Sequence, residues 1–173
     1  MAGKTPYQAV RNFLEPLNRA LSCVTRAVLV ASGSDPSNQR HAVVLNNGNP
    51  VSLRSNPPLL LTALMHYKVV EAQGQLGPWK VSAAAYIHAI QDKQGHELFA
   101  YHWHPASTPQ YDYPHLHIHS GILTKIHLPT RRISLEKILR LLITQLNVKP
   151  LKKEWEKALR ETQETHQKFR TWD

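Results

Sequence analysis

The chain has 173 residues, of which 42% are hydrophobic, so it fits one domain with a buried core, and we expect one fold and not two. Lysine and arginine number 21 against 12 acidic residues, a formal charge of +9, which favours an anionic partner such as nucleic acid or an acidic protein. The single cysteine excludes an internal disulfide and a cysteine-based zinc site.

The first residues lack the long apolar run of a signal peptide, and no stretch of the sequence approaches the length of a membrane span. A single cysteine also agrees with a reducing compartment. We therefore expect an intracellular, cytoplasmic protein without a membrane partner.

Residues 1–24 predict a helical segment. Thr5 followed by Pro6 is typical of a helix N-cap and a first-turn proline. Apolar residues then recur at helical spacing from Val10 to Leu21. Pro16 should kink or restart this helix, because an internal proline removes a hydrogen bond and crowds the preceding turn.

Residues 25–128 predict a sheet-rich core. Short apolar runs separated by turn signals predict strands at residues 25–31, 41–45 and 51–54. Residues 59–70 are ambiguous between helix and strand, and we favour a strand over their second half. Residues 80–90 and 97–104 predict a hairpin around a turn at residues 92–95.

The register of this hairpin decides which side chains share a face. With Gly95 as a bulge, Asp92 pairs with His96 and Tyr86 lies opposite His102. One face then gathers Tyr86, His88, His102 and His104. The opposite face carries an apolar set suited to a core, namely Ala85, Ile87, Ala89, Phe99, Tyr101 and Trp103. The two histidines of the second strand share a face in any register, because that depends only on their spacing.

A second row of histidines follows a polar, proline-containing loop at residues 105–114. Residues 115–120 predict a strand on which His115, His117 and His119 point to one side. Residues 125–128 should continue the layer, and residues 129–132 end it in a basic turn.

Residues 129–173 predict two C-terminal helices. Ser134 is a good N-cap for the first of them, and Ile133 with Ile138 has the spacing of a hydrophobic staple. Residues 147–150 break the helical pattern, and a charged helix follows over residues 151–169. The order of elements predicts a single α+β domain with a mainly antiparallel sheet, an N-terminal helix and two C-terminal helices. The helices should cover one face, leaving the histidine face open or covered by the loop or a partner.

Clustered histidines first suggest a metal centre. Two imidazoles on one strand and a third from its neighbour can form a three-nitrogen site, for which zinc is the expected ion. The only carboxylate between Phe99 and Leu135 is Asp112, which argues against magnesium or calcium. The candidate metal ligands are His102, His104, His115 and His117.

The same residues would also permit phosphodiester cleavage without a metal. One histidine would take the proton from a ribose 2′-hydroxyl, another would protonate the leaving oxygen, and a cation would stabilise the charged phosphorus centre. The candidate catalytic residues are His102, His104, His117, His119 and Tyr86. The candidate substrate-binding cations are Lys125, Arg131 and Arg132.

Composition and motifs leave two classes of function open. The first is an enzyme that acts on RNA or another phosphodiester through the histidines. The second is a non-enzymatic module that binds nucleic acid or an acidic protein through its basic surface, with the histidines as polar lining. Exposed strand faces tolerate histidine, so the second class remains an alternative.

Six short motifs of the second half occur in an order that resembles the TumE-like toxins of toxin–antitoxin systems and related bacterial histidine-rich proteins. The motifs are Gly-Pro-Trp-Lys-Val (77–81), Tyr-Ile-His (86–88), Gln-Gly-His-Glu-Leu (94–98), Tyr-His-Trp-His-Pro (101–105), Pro-His-Leu-His (114–117) and Ile-Ser-Leu-Glu-Lys-Ile-Leu (133–139). The resemblance implies a cytosolic bacterial or phage-related protein that acts on RNA as a toxin and is held in check by an antitoxin partner.

Overall fold

The computed structural model describes residues 2–37, 39–73, 77–105, 112–120, 123 and 126–169, the last two of these by backbone alone. Across these residues, three helices and a mainly antiparallel nine-stranded sheet form an α+β fold, which confirms the predicted fold class. Among the helices described, none is long and apolar enough to cross a bilayer.

The helices and strands are numbered in chain order. The helices are α1 (Pro6–Leu21), α2 (Leu135–Thr144) and α3 (Trp155–Phe169). The strands are β1 (Ala2–Gly3), β2 (Leu29–Ala31), β3 (His41–Leu45), β4 (Val51–Ser52), β5 (Leu59–Glu71), β6 (Trp79–Asp92), β7 (Glu97–Trp103), β8 (His115–Ile118) and β9 (His127–Pro129).

The sheet runs in the order β2-β3-β5-β6-β7-β8-β9, with β1 beside β6 and β4 beside β5. Strand β5 extends over the whole of Leu59–Glu71, so the range that was ambiguous in the sequence is strand throughout. Its alternating burial explains this, because every second side chain enters the core. Strand β1 has no signal in the sequence and forms by pairing Ala2 and Gly3 with Lys80 and Trp79.

Helix α1 follows the sequence pattern closely. The hydroxyl of Thr5 accepts a hydrogen bond from the backbone N–H of Gln8 at 3.1 Å, so the predicted N-cap is confirmed. The predicted apolar stripe is buried, including Phe13 and Leu17. The helix continues through Pro16 as one element, so of the kink or restart predicted there, the restart does not occur.

The C-terminal helices differ in detail from the prediction. Ser134 occupies the N-cap position of α2, but its side chain makes no capping hydrogen bond. Helix α3 begins at Trp155, later than the expected start near Leu151.

The three helices share one core on one face of the sheet, where α1 packs on β5 and β6, and α2 and α3 pack on α1. The core there joins Phe13 of α1 with Tyr67 of β5, whose ring centroids lie 6.4 Å apart, and it includes Tyr86 of β6 and Leu139 of α2. Side chains of the other sheet face, such as Leu64 and Ile87, are only half-buried. The sheet therefore has a core face covered by helices and a second face, which we call the open face.

The predicted register of the β6–β7 hairpin is wrong by one residue. The turn itself is as expected, since Asp92 N–H donates to the carbonyl of His96 at 2.9 Å. A bulge between Ile90 and Gln91 then shifts the pairing, so that Tyr86 lies opposite Trp103 and not opposite His102. The consequence is that Tyr86 and His88 belong to the core face, whereas His102 lies on the open face beside Ile87.

His88 is a buried histidine of the core face. It is only 2% exposed, and its ring stacks on Tyr86 with centroids 5.1 Å apart. Its Nδ1 has no hydrogen-bond partner among the described residues. Burial lowers the pKa of His88 from 6.5 to about 4, because a desolvated imidazole resists taking up a charge.

We expect His88 to make folding sensitive to mild acid. As the pH falls below about 6.5, the unfolded state binds a proton that the folded state cannot accept until its pKa of about 4 is reached, so stability is lost over this window. The His88 contribution should fall by about 2 kcal/mol between pH ~7.5 and pH ~5. Urea unfolding of wild type and His88→Phe at both pH values measures this, and an equal pH dependence in the two proteins would contradict it.

Tyr86 should matter for stability. Its hydroxyl accepts a hydrogen bond from the backbone N–H of Ile133 at 2.9 Å, just before α2. Tyr86→Phe leaves that N–H without its acceptor and should lower the free energy of unfolding by about 1–3 kcal/mol. Denaturant unfolding at neutral pH tests this, and an unchanged midpoint would show that the hydrogen bond carries little weight.

Candidate metal centre

Antiparallel pairing assembles the histidines on the open face. His102 of β7 lies directly opposite His115 of β8, and Ala100 lies opposite His117. Strand β9 continues the pattern, because His127 lies opposite His117. Residues opposite one another or two apart project from the same face of a sheet, so these four imidazoles meet on one side.

Three of these side chains form a compact group that we call the histidine triad: His102, His115 and His117. The ring centroids of His102 and His117 lie 4.5 Å apart, those of His115 and His117 lie 4.9 Å apart, and those of His102 and His115 lie 5.6 Å apart. One ring nitrogen of each residue lies within 4.8 Å of the other two. The triad therefore offers three converging nitrogen ligands.

The triad fits a tetrahedral ion after small side-chain rotations. Zinc–nitrogen bonds of about 2.0–2.1 Å place tetrahedral ligand nitrogens roughly 3.3 Å apart. Closing from separations of up to 4.8 Å needs only modest rotation of the rings. Three imidazoles also leave the fourth position of a tetrahedral ion for water or substrate.

A hydrogen bond orients His115 for metal binding, and a buried ring nitrogen of His102 is left available. Nδ1 of His115 lies 2.9 Å from the carbonyl oxygen of Tyr113. A carbonyl can only accept, so Nδ1 carries the proton and Nε2 carries the lone pair that a metal needs. Nε2 of His102 is buried and has no hydrogen-bond partner among the described residues, and a bound cation would satisfy it.

The triad is electrically neutral at physiological pH. Burial, reinforced by His117 and its neighbours, lowers the pKa of His102 to about 3. Burial, reinforced by His127 and other imidazoles, lowers the pKa of His117 to about 4. Burial also lowers the pKa of His115. Neutral imidazoles keep the lone pairs that bind a metal, so no proton has to be displaced.

Two further histidines border the triad. The ring of His104 lies 5.1 Å from that of His115 and 5.9 Å from that of His102. The ring of His127 lies 4.1 Å from that of His117 and 5.0 Å from that of His115. Three of the four predicted ligands therefore form the triad, and His104 lies beside it.

His119 lies at the rim of the cluster. Its ring is 6.3 Å from that of His117. Its Nε2 lies 3.0 Å from Oε1 of Glu97, with which it forms an ion pair when protonated. This carboxylate restrains His119 next to the triad without entering it.

Other predicted site residues lie elsewhere. Tyr86 is on the core face, where it is 1% exposed, so it is separated from the triad by the sheet. Arg132 stacks over the ring of Trp103, 3.9 Å from its centroid, and Trp103 is also on the core face. Arg131 is exposed, on the segment after β9. Lys125 lies outside the described residues.

His127 is a site residue that the sequence reasoning missed. Residues 125–128 are predicted to continue the sheet, but the partner of His127 depends on the β8–β9 register, which short-range patterns do not fix. One feature of the sequence did point to His127: two consecutive predicted strands both carry histidines. When such strands pair antiparallel, a histidine of one can lie opposite a histidine of the other, as His127 lies opposite His117.

No family model, no curated protein and no solved structure matches the chain. The resemblance to TumE-like toxins therefore stays a prediction. What this protein does has to be inferred from the geometry of its own histidines and from its charge.

Proposed function

We propose that this protein is a zinc-dependent hydrolase that cleaves phosphodiesters, with RNA as its substrate class. The observation that carries the proposal is the convergence of three neutral histidine nitrogens within 4.8 Å on the open face of the sheet. The formal charge of +9 supports a polyanionic substrate.

Zinc is the ion that suits this ligand set. Imidazole nitrogens suit zinc and its neighbours in the transition series, whereas magnesium and calcium prefer oxygen ligands. The triad contains no carboxylate. Held by the three histidines, zinc would lower the pKa of a bound water to about 7 and would so supply a nucleophile at neutral pH.

Metal-free acid–base cleavage by the pair His102 and His117 fits less well. That mechanism needs one histidine to be protonated and another to be neutral near pH ~7. The pKa values of His102 and His117, lowered to about 3 and about 4, leave both in the neutral form there. Neutral imidazoles support metal binding better than they support general acid catalysis.

The proposal includes a cellular compartment and a protein partner. The resemblance to TumE-like toxins implies that the protein acts on RNA in the cytoplasm and that an antitoxin or another acidic protein restrains it. The basic charge of the chain suits both an RNA substrate and an acidic partner.

Metal content is the direct test of the triad. Untagged wild-type protein, purified without added metal, should carry about one zinc ion per chain by elemental analysis. The double variant His102→Ala, His117→Ala should lose most of the zinc, because two of the three triad ligands are removed. His96→Ala removes an exposed histidine of the β6–β7 turn and should keep full zinc content. Metal-free wild-type protein that folds normally would rule the site out.

Activity is tested on mixed RNA with and without a zinc chelator. Cleavage should stop with the chelator, return with added zinc and be absent from the double variant, because zinc at the triad would supply the nucleophilic water. Cleavage that persists in the chelator would favour the metal-free mechanism. A zinc-loaded protein that cleaves no RNA or DNA would refute the phosphodiester part of the proposal and leave the metal site standing.

A further inference from the structure

One row of cross-strand partners connects the triad to the far side of the open face. Ile87 of β6 lies opposite His102, Leu64 of β5 lies opposite Ile87, and Val44 of β3 lies opposite Leu64. Neighbouring strands are about 4.8 Å apart, so Leu64 lies roughly 10 Å from His102. An apolar strip therefore leads straight to the candidate metal centre.

This strip contains a cavity of about 310 Å³. Its walls are Val44, Leu45, Gly48, Thr62, Ala63, Leu64 and Ile87. The volume is at the lower end of the range for pockets that hold small molecules, so one small group of a substrate fits it.

The lining specifies the chemistry of that group. Among the described residues that line the cavity, none is charged, and Thr62 alone has a polar side chain. A phosphate would lose its hydration here without a compensating cation. A nucleobase suits the cavity, because its face is apolar and its edge can hydrogen-bond with the Thr62 hydroxyl.

We infer that this cavity binds one unpaired nucleobase of a single-stranded RNA whose backbone lies across the histidine triad. The inference rests on the proposed function for its substrate class. A base in a duplex is paired and stacked and cannot enter the cavity, so duplex RNA is excluded as a ligand of this site. The triad would then act on a phosphodiester close to the captured base.

Binding to metal-free protein tests the inference separately from catalysis. The probe is a short labelled single-stranded oligoribonucleotide, compared with a strand of the same length made of abasic nucleotides. Both strands have the same charge, so the basic surface contributes equally to both. Wild type should bind the base-bearing strand about tenfold more tightly, which is the scale of one base contact.

Substitutions locate the base. Leu64→Gln and Val44→Gln place a neutral polar side chain in the cavity and should reduce the preference for the base-bearing strand towards one. Val30→Gln is the matched control, because Val30 lies opposite Val44 on β2, is 41% exposed and does not line the cavity. It should keep the full preference.

Three outcomes would overturn the inference. The first is equal affinity of wild type for the two strands. The second is an unchanged preference in folded Leu64→Gln and Val44→Gln variants. The third is a dimer in sedimentation that Leu64→Gln dissociates, together with no base preference, which would make the face an interface between two copies. Base-selective binding by a protein that holds no zinc and cleaves no RNA would instead refute the proposed function and keep the inference.

Discussion

The register between β7 and β8 is the constraint on which the candidate site depends. His102 meets His115 because these two strands pair without a bulge over four residue pairs. A slip by one residue would turn the histidines of β8 towards the core face and would disperse the triad. On the core face, Phe99 and Tyr101 of β7 pack edge to face, 6.2 Å apart. This aromatic packing fixes the face of the sheet to which His102 of the same strand points.

The histidine cluster lowers the stability of the folded sheet. The buried Nε2 of His102 lacks a partner among the described residues, and an unsatisfied buried polar atom costs about 1–3 kcal/mol. Burial also lowers the pKa of each triad member, so mild acid acts against the folded state here as it does at His88. Natural sequences break local rules of this kind mainly at functional sites. The energetic cost therefore argues for a bound ligand.

Sequence patterns predict the helices and strands better than they predict the register in which strands pair. Helical spacing predicted α1, and alternation placed His102 and His104 together, since each depends only on residues near in sequence. The bulge between Ile90 and Gln91 has no signal in the local sequence. The turn at Gly95 has the predicted conformation, and the register shifts only beyond the turn. Burial of Tyr86 against Trp103 favours the shifted pairing, and that contact forms only in the folded core.

The two faces of the sheet are physically linked at its edge. Strand β9, which carries His127, has only three residues and lies at the edge of the described sheet, next to β8. Two contacts on the core face fix the segment that follows β9. The guanidinium of Arg132 stacks on the ring of Trp103, and the backbone N–H of Ile133 donates a hydrogen bond to the hydroxyl of Tyr86. Trp103 directly follows His102 in β7, and consecutive residues of a strand point to opposite faces. The core face therefore positions the edge of the histidine cluster through the same strand that supplies a member of the triad.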